Sequence, residues 1–489
     1  MIYIGIDLGT SGVKLLAMNE TGAVLHTVTR EYPLLLPKPG WSEQEPAHWY
    51  EESIAGLAQL LQHVDASQVA GISFGGQMHG LVILDERDEV IRPAILWNDG
   101  RTEKQVAYLN EVIGKEALSK YTGNIAFAGF TAPKLLWVYE NEPENFARIR
   151  KIMLPKDYLA YRLCGNHCTD YSDASGMLLL DVANKCWSEE MLSICHVTRE
   201  QMPTLYESYE KVGVLKPELA KDLGLSERCV IAAGGGDNAA AAVGTGAVKA
   251  GSCNISLGTS GTIFIPNDAF TVDGQNALHS FVHANGKFHL MGCILSAASC
   301  NKWWMEDILG ASDFAKEQEP ITQLGENRVF FMPYLMGERS PHNDASVRGA
   351  FVGLSLDTKR ADMVQAVFEG VAFAMRDCLE VAKSQGIEIT QATICGGGAR
   401  SGLWRSIMAN ILGISIVTVQ TEQGPSYGGA MLAAVACGQY ETVEKAAEAI
   451  VRYTETILPE PELVLKYEAR YQQYRRLYPM MNSFYREAE

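Results

Sequence analysis

Positive charge is scarce in this chain. The 489 residues include 41 Lys and Arg against 58 Asp and Glu, which gives a formal net charge of −17 at pH 7. No dense block of Lys and Arg interrupts this acidic background. Because such a protein repels the phosphate backbone of nucleic acids, we expect no nucleic-acid partner.

The chain also lacks a long uninterrupted apolar run. Asp7 ends the first run after six residues, and the longest apolar stretch near the middle, residues 230–248, contains Asp237 and several glycines. Neither segment has the composition of a secretory signal or of a membrane-spanning helix. We therefore expect no membrane association and a cytoplasmic location.

Cysteines in a pairing pattern are missing as well. The eleven cysteines are an odd number and are scattered along the chain. Cys164, His167 and Cys168 lie close together, but no second Cys/His pair at zinc-site spacing accompanies them. This distribution favours free thiols in a reducing cytosol.

Neither of the common nucleotide-binding loops, G-x-x-x-x-G-K-S/T and G-x-G-x-x-G, occurs in the sequence. Instead the pentapeptide Leu-Gly-Thr-Ser-Gly occurs twice, at residues 8–12 and 257–261, each time between two runs of β-forming residues. Such a segment predicts a tight hairpin that exposes backbone N–H groups and hydroxyls at its tip. An ordinary turn would have the same composition, but the exact repeat favours two phosphate-binding loops that grip one polyphosphate from both sides.

The two copies differ in the residue that precedes them. Asp7 comes before the first copy, whereas Ser256 holds the corresponding position before the second. A carboxylate repels a phosphate unless a divalent cation lies between them, so Asp7 is predicted to face Mg²⁺. The second copy is expected to handle phosphate alone.

Both halves of the chain open with a strand, one of these loops and another strand, after which helical and strand patterns alternate. This alternation predicts an α/β fold. The 489 residues exceed what one hydrophobic core usually supports. We therefore predict two domains related by duplication, residues 1–246 and 247–489, with a helical tail after about residue 463 that packs back on the body.

Two runs of three glycines follow predicted strands. After the first run comes Asp237, which can serve as a base for an attacking hydroxyl or can cap the alanine-rich helix that follows. The second run, Gly396 to Gly398, either approaches an adenosine or an α-phosphate or is a crowded turn between strand and helix. Spacing alone leaves both choices open.

Polar side chains cluster directly after two predicted strands of the first half, where α/β domains place ligands. A lone histidine in such a place is more often structural, but this cluster combines hydrogen-bonding groups with apolar surface, as a sugar pocket requires. The residues are Gln77, Met78, His79, Trp97, Asn98, Asp99 and Arg101.

The chain resembles the FGGY family of carbohydrate kinases over nearly its whole length. Two regions are similar to signature segments of that family, residues 129–141 and residues 349–354 with the helix that continues through Glu369 and Gly370. Other motifs most resemble the members that phosphorylate D-xylulose, namely residues 76–80, 96–101, 154–158 and 337–342. Members that phosphorylate glycerol carry a different motif, of arginine and glutamate, where this chain has Met78 and His79.

This resemblance implies two actin-like (ribonuclease-H-like) domains of the sugar kinase/heat-shock-70/actin superfamily, with the active site in the cleft between them. It implies ATP and Mg²⁺ as cofactors and the phosphorylation of D-xylulose to D-xylulose 5-phosphate. Family habit indicates a homodimer.

The resemblance also implies roles for individual residues. Asp237 corresponds to the general base, and Asp7 corresponds to the carboxylate near Mg²⁺. The expected sugar contacts are Gln77, Met78, His79, Trp97, Asn98, Asp237 and Asn238. The expected ATP contacts are Gly9, Thr10, Ser11, Lys14, Gly258, Thr259, Gly396, Gly397, Gly398 and Ser401.

Two other functions use much of the same sequence. A kinase for a related ketose or polyol, such as ribulose or gluconate, needs the same loops and a base. A non-catalytic ATP-binding clamp of the same fold needs the phosphate loops but neither a sugar pocket nor a base. The intact clusters at residues 77–79 and 237–238 disfavour the clamp.

Overall fold

The computed structural model describes residues 1–486, and a seven-stranded sheet forms the centre of each half. The first sheet has the spatial order Lys211–Val214, Val230–Ala232, Val69–Gly76, Ile2–Leu8, Gly12–Asn19 and Val24–Glu31, and Gly235–Gly236 also pairs with Val69–Gly76. The second sheet has the order His279–Val282, Phe288–Ile294, Gly261–Asn267, Ser252–Leu257, Gln391–Cys395, Ser415–Val419 and Tyr453–Ile457.

The two sheets share one pairing pattern. In each, three neighbouring strands run antiparallel, and the strand that precedes the repeated pentapeptide pairs in parallel with a later strand. Each copy of the pentapeptide joins two of these antiparallel strands, so we call residues 8–12 the first hairpin and residues 257–261 the second hairpin. The predicted α/β fold is confirmed.

Helices surround the sheets. In the first half the α-helices are Pro46–Leu60, Glu103–Ala107, Lys115–Thr122, Thr131–Asn141, Pro143–Arg148, Pro155–Cys164, Tyr171–Ala174, Glu189–Ile194, Pro217–Leu223 and Asp237–Thr245. In the second half they are Ala298–Lys302, Phe314–Gln318, Arg360–Ser384, Gly402–Leu412, Pro425–Ala436, Val443–Ile450, Pro461–Tyr474 and Leu477–Arg486. Two-residue and three-residue ladders pair Glu43–Gln44 with Ala94–Ile95, Val82–Leu84 with Lys151–Met153, Cys168–Asp170 with Thr204–Tyr206, Leu180–Asp181 with Cys186–Trp187, and Phe330–Met332 with Ala350–Val352.

The helix Pro425–Ala436 ties the two halves together. It follows a strand of the second sheet, yet it packs against the first sheet so closely that a Cβ on Gly5 would lie 1.8 Å from the Ser426 carbonyl oxygen. Its Gly428 crosses the helix Asp237–Thr245 in the same way, since a Cβ there would lie 1.7 Å from the Ala240 carbonyl oxygen. This crossing fixes the helix that begins with Asp237 against the helix Pro425–Ala436.

The C-terminal helices lie against the helix Arg360–Ser384. Buried Tyr467 donates a hydrogen bond of 2.9 Å to the Glu369 carboxylate, which also accepts one of 2.7 Å from Arg470. Tyr471 donates to Asp377 at 2.7 Å.

None of the helices within residues 1–486 combines the length and the apolar character that crossing a membrane requires.

Candidate active site

A cavity of about 280 Å³ lies between the two halves of the chain. Its wall from the first half consists of Met78, His79, Trp97, Phe127, Gly129, Phe130, Asp237 and Asn238. Its wall from the second half consists of Ser256, Gly258, Ser260, Thr262, Met291, Cys293 and Arg339. Of the residues expected to bind substrates, the fold therefore brings Met78, His79, Trp97, Asp237, Asn238 and Gly258 to one cavity.

Asp237 presents its carboxylate at the start of a helix without capping it. The capping position belongs to Gly236, whose N–H donates to the Ser172 hydroxyl at 3.1 Å. The Asp237 carboxylate accepts hydrogen bonds from the backbone and side-chain nitrogens of Asn238, at 2.7 and 2.9 Å. Burial raises the pKa of Asp237 to about 6, partly offset by these two hydrogen bonds. The group is therefore ionised at neutral pH and more basic than an ordinary aspartate, as a general base should be.

His79 is held in one orientation and one protonation state. Its backbone is left-handed, with φ of 71°, and its carbonyl oxygen accepts hydrogen bonds from Lys134 at 2.8 Å and Thr131 at 3.1 Å. The ring stacks on Phe130, and its Nδ1 donates to the Gly176 carbonyl oxygen at 2.7 Å. Burial, and then the charge of Lys134, lowers the pKa of His79 to about 3. The neutral ring thus leaves Nε2 as an acceptor for a hydroxyl.

A chain of hydrogen bonds connects the first hairpin to Trp97 in the first-half wall of the cavity. Trp97 Nε1 donates to the Thr10 hydroxyl at 2.9 Å, and this hydroxyl donates to Gln77 Oε1 at 3.0 Å. The Gln77 amide nitrogen in turn donates to Gln44 Oε1 at 2.9 Å. Gln77 is only 2% exposed, so it does not reach the cavity. Its geometry is that of a residue that positions Thr10 and Trp97.

The polar residues after Trp97 also lie outside the cavity wall. Asn98 is exposed. The buried Asp99 carboxylate accepts hydrogen bonds from the Ser42 N–H at 2.6 Å and from Arg101 Nε at 2.8 Å. The Arg101 guanidinium lies 3.7 Å over the Trp41 ring. Asp99 and Arg101 therefore stabilise the local fold.

Asp7 and Lys14 face each other across the two strands of the first hairpin. Burial, and then the charge of Asp237, raises the pKa of Asp7 to about 7, while Lys14 acts in the opposite direction. Lys14 reaches into the second half, where its Nζ donates to Gln423 Oε1 at 2.6 Å and to the Gln423 carbonyl oxygen at 3.2 Å. Gly9 and Ser11 complete the hairpin tip but do not line the cavity.

The second hairpin contributes backbone and hydroxyl groups to the cavity. Gly258 and Ser260 line it, whereas Thr259 is exposed outside the wall. The Thr259 carbonyl oxygen accepts hydrogen bonds from Ala297 N at 2.9 Å and from the Ser299 hydroxyl at 2.7 Å. The hairpin is therefore anchored from behind while its tip stays open.

The three glycines after Gln391–Cys395 differ in their surroundings: Gly396 and Gly398 are held by neighbouring residues, and Gly397 is open. Gly396, with φ of 90°, donates its N–H to Glu422 at 2.6 Å. A Cβ on Gly398 would lie 2.9 Å from the side chain of Leu257, at the base of the second hairpin. Around Gly397, by contrast, a Cβ would meet nothing within 4 Å. Only Gly397 therefore offers open backbone to a ligand, and this turn lies outside the cavity.

The Ser401 side chain has a structural role as a helix cap. Its hydroxyl accepts a hydrogen bond from Trp404 N at 3.1 Å and so caps the helix Gly402–Leu412. The same hydroxyl donates to Gln318 at 2.6 Å. With both capacities in use, the Ser401 side chain supports the glycine turn and does not project from it.

Arg339, Ser260 and the aromatic residues Phe127 and Phe130 line the cavity but were not predicted as site residues. The motif at residues 337–342 contained a signal for Arg339, but the motif alone did not show which of its side chains turns inward.

Within residues 1–486, no group of three His, Cys, Asp or Glu side chains is arranged to hold a metal ion.

Comparison with known proteins decides the family. The N-terminal domain of the FGGY family of carbohydrate kinases matches residues 2–244, and the C-terminal domain of that family matches residues 253–437. This chain belongs to the FGGY family. The FGGY kinase described here is 41% identical to xylulose kinase from Escherichia coli (strain K12) over 484 residues, which cover 98% of this chain and 99% of that protein.

Two solved kinase structures have the same fold. The crystal structure of a "xyloylose kinase" from Brucella ovis matches with a TM-score of 0.94 and 41% identity, over 99% of this chain and 100% of that one. A gluconate kinase from Lactobacillus acidophilus matches with a TM-score of 0.94 but 26% identity, over 100% of this chain and 99% of that one. The predicted family, fold class and enzyme class are confirmed, and ATP is the substrate that a kinase of this family implies.

Proposed function

We propose that this FGGY kinase transfers the terminal phosphoryl group of ATP to D-xylulose and releases D-xylulose 5-phosphate and ADP. One observation carries the proposal: Asp237 shares a cavity wall with Met78 and His79 and faces the second hairpin across that cavity. A single carboxylate thus serves a sugar site and a phosphate site together. Three relatives named xylulose kinase are 37–41% identical over 97–98% of this chain, which favours the ketopentose.

The sugar is proposed to bind against the first-half wall. His79 Nε2 accepts a hydrogen bond from one hydroxyl, while Phe130 and the half-exposed Trp97 cover the apolar face of the sugar. Asp237 takes the proton of the reacting sugar hydroxyl while the oxygen of that hydroxyl bonds to the terminal phosphorus of ATP. The bond from that phosphorus to the bridging oxygen breaks, and ADP leaves with the electron pair.

ATP is proposed to lie with its phosphates between the two hairpins and its adenosine toward Gly397. Support comes from the open backbone at Gly397, from Gly258 and Ser260, which line the cavity, and from the exposed Thr259 between them. Lys14 supplies a positive charge where the first hairpin meets the second half. Thr10, Gly396, Gly398 and Ser401 hold these groups in place.

Asp7 is proposed as the protein ligand of Mg²⁺. Its carboxylate accepts no hydrogen bond from residues 1–486, and its pKa is raised to about 7, so it lacks a charge partner strong enough to offset burial. Mg²⁺ keeps several waters and takes one or two carboxylates together with substrate phosphates, which a lone carboxylate at this hairpin satisfies. When bound, Mg²⁺ neutralises charge on the phosphate oxygens.

We assign sugar binding, the first phosphate loop and the base to residues 1–246, and the second phosphate loop and adenosine binding to residues 247–489, with the helix Pro425–Ala436 lying across the boundary on the first sheet. A cytoplasmic location and a homodimer are part of the proposal. Cell fractionation and light scattering of the purified protein test these two points.

A substrate panel tests the function. The purified protein is assayed for ADP release with ATP and Mg²⁺ in the presence of D-xylulose, D-ribulose, gluconate or glycerol. We expect D-xylulose to give the highest kcat/KM and no comparable ADP release without sugar. A higher kcat/KM for ribulose or gluconate contradicts the proposed substrate.

A further inference from the structure

Arg339 is the only arginine among the residues that line the cavity. Within residues 1–486 no carboxylate lies within 4.0 Å of its guanidinium, and its side chain makes no hydrogen bond. Its guanidinium carbon lies 5.7 Å from the centroid of the Phe127 ring. An arginine in a cavity wall without a carboxylate partner is available to bind an anionic group of a ligand.

The backbone of Arg339, unlike its head group, is held tightly. The Glu338 carboxylate accepts hydrogen bonds from Arg339 N at 2.8 Å and from Leu295 N at 2.9 Å. On the other side, Ser340 N donates to the Cys293 carbonyl oxygen at 3.0 Å, and Asn343 N donates to the Arg339 carbonyl oxygen at 2.5 Å. The position of the residue is thus preorganised while its five N–H donors stay available.

The pairing of strands in the second sheet shows where Arg339 lies relative to the glycine turn and the second hairpin. Ser256 pairs with Cys395 on one side and with Thr262 on the other, and Thr262 pairs with Cys293. These four residues form a row across the second sheet that spans roughly 14 Å at about 4.8 Å per strand. The glycine turn that follows Cys395 stands at one end of the row. Arg339 stands at the other end, next to Cys293, and the second hairpin lies between.

A nucleotide bound along this row has its adenosine at the glycine turn and its phosphates across the second hairpin. Its terminal phosphate then points toward the Arg339 end. Asp237 occupies the opposite wall of the same cavity, and in the proposed function it deprotonates the attacking hydroxyl. The phosphoryl group in transit therefore passes between Asp237 and Arg339.

We propose that Arg339 is a catalytic residue that donates hydrogen bonds to the oxygens of the phosphoryl group during its transfer from ATP to the sugar. This inference rests on the proposed function. As the oxygen–phosphorus bond to the sugar forms and the bond to ADP breaks, negative charge lies on the three non-bridging oxygens of that group. A planar guanidinium binds two of them at once, which an ammonium cannot do.

Arg339→Ala and Arg339→Lys test the proposal, with Arg328→Ala as a matched control. Arg328 is an exposed arginine of the same half that does not line the cavity. We expect Arg339→Ala to lower kcat about 100–1,000-fold, the usual effect of removing one preorganised donor, while the KM for sugar stays within about threefold. Arg339→Lys should recover only part of the loss, and Arg328→Ala should behave as wild type.

Product binding gives a second readout that a merely structural role would not move. In calorimetry with ADP present, Arg339→Ala should weaken binding of D-xylulose 5-phosphate at least tenfold and leave binding of D-xylulose unchanged. Unchanged kcat, or equal loss of affinity for sugar and sugar phosphate with kcat retained, overturns the proposal.

Failure of the proposed function is distinguishable from failure of this inference. If the wild-type enzyme phosphorylates another sugar of the panel better than D-xylulose, the proposed substrate is wrong. The Arg339 comparison is then made on that sugar and its phosphate, because Arg339 is proposed to contact the phosphoryl group and not the sugar. If the wild-type enzyme phosphorylates none of the sugars, both proposals fall.

Discussion

Asp7 and Asp237 lie near the same end of the first sheet: Asp7 is on a strand, and Asp237 begins the helix that directly follows the strand two places away. Asp7 pairs with Gly75, and Gly75 pairs with Gly235, two residues before Asp237. Burial, and then the charge of Asp237, raises the pKa of Asp7 to about 7. Two carboxylates gathered in this way favour a cation, so the predicted metal ligand and the predicted base belong to one electrostatic unit.

Asp237→Asn should lower kcat by about two to four orders of magnitude while ATP affinity stays largely intact. The substitution removes the base but leaves the size of the side chain nearly unchanged. Steady-state kinetics with D-xylulose and calorimetric titration with ATP measure the two effects. Near-normal turnover would sink the assignment of Asp237 as the base.

The rate should fall at low pH because the base must be ionised. Burial raises the pKa of Asp237 to about 6, so its active, deprotonated fraction is lost as pH falls through about 6. At pH 5 we expect kcat/KM about tenfold below its value at neutral pH. A profile of kcat/KM between pH 5 and 8 checks this, and a flat profile down to pH 5 contradicts it.

Asp7→Ala should weaken Mg²⁺ binding, and with it Mg²⁺-dependent turnover, more than it weakens sugar binding. Loss of the proposed ligand should raise the Mg²⁺ concentration for half-maximal activity by at least about tenfold. Magnesium titrations at saturating ATP and sugar measure this shift. If added Mg²⁺ restores nothing and the affinity for sugar collapses instead, the metal role of Asp7 is wrong.

His79→Ala should raise the KM for D-xylulose with a smaller effect on the KM for ATP. Loss of one hydrogen bond that Nε2 accepts costs about 0.5–1.5 kcal/mol, which is about threefold to tenfold in affinity. His196→Ala is a matched control, since His196 also has a left-handed backbone but is exposed away from the cavity. A variant that loses ATP affinity and keeps its sugar KM would place the sugar site elsewhere.

Gly428→Ala should destabilise the junction of the two halves. Alanine favours a helix over glycine by about 1 kcal/mol, but the added Cβ would lie 1.7 Å from the Ala240 carbonyl oxygen, and neither backbone can yield easily. We expect the free energy of unfolding to fall by about 1–3 kcal/mol or more. Denaturant unfolding measures it, with Gly402→Ala as control because the nearest atom to a Cβ there is 3.8 Å away. Equal stability of the two variants contradicts the crossing.

The sequence by itself determined the elements whose causes are local. Gly, Thr and Ser between β-forming runs dictate a hairpin wherever they occur, so the repeated pentapeptide was enough to predict the two hairpins and the matching sheets around them. Residues that directly follow a buried strand, such as Met78, His79 and Asp237, open at the sheet end for the same reason. Motifs at many points along the chain then indicated the family.

Only the tertiary structure decided where side chains without a local constraint point. The Gln77 side chain has the donor and acceptor groups that a sugar ligand needs. Its amide nitrogen instead donates to Gln44, which is 33 residues away in the chain. Arg339 reaches the cavity because contacts with Leu295 and Cys293 set its turn on the second sheet. The helix Pro425–Ala436 packs on the first sheet because its glycines allow a backbone approach that no sequence period encodes. These outcomes depend on contacts between distant segments, which form only when the whole chain is folded.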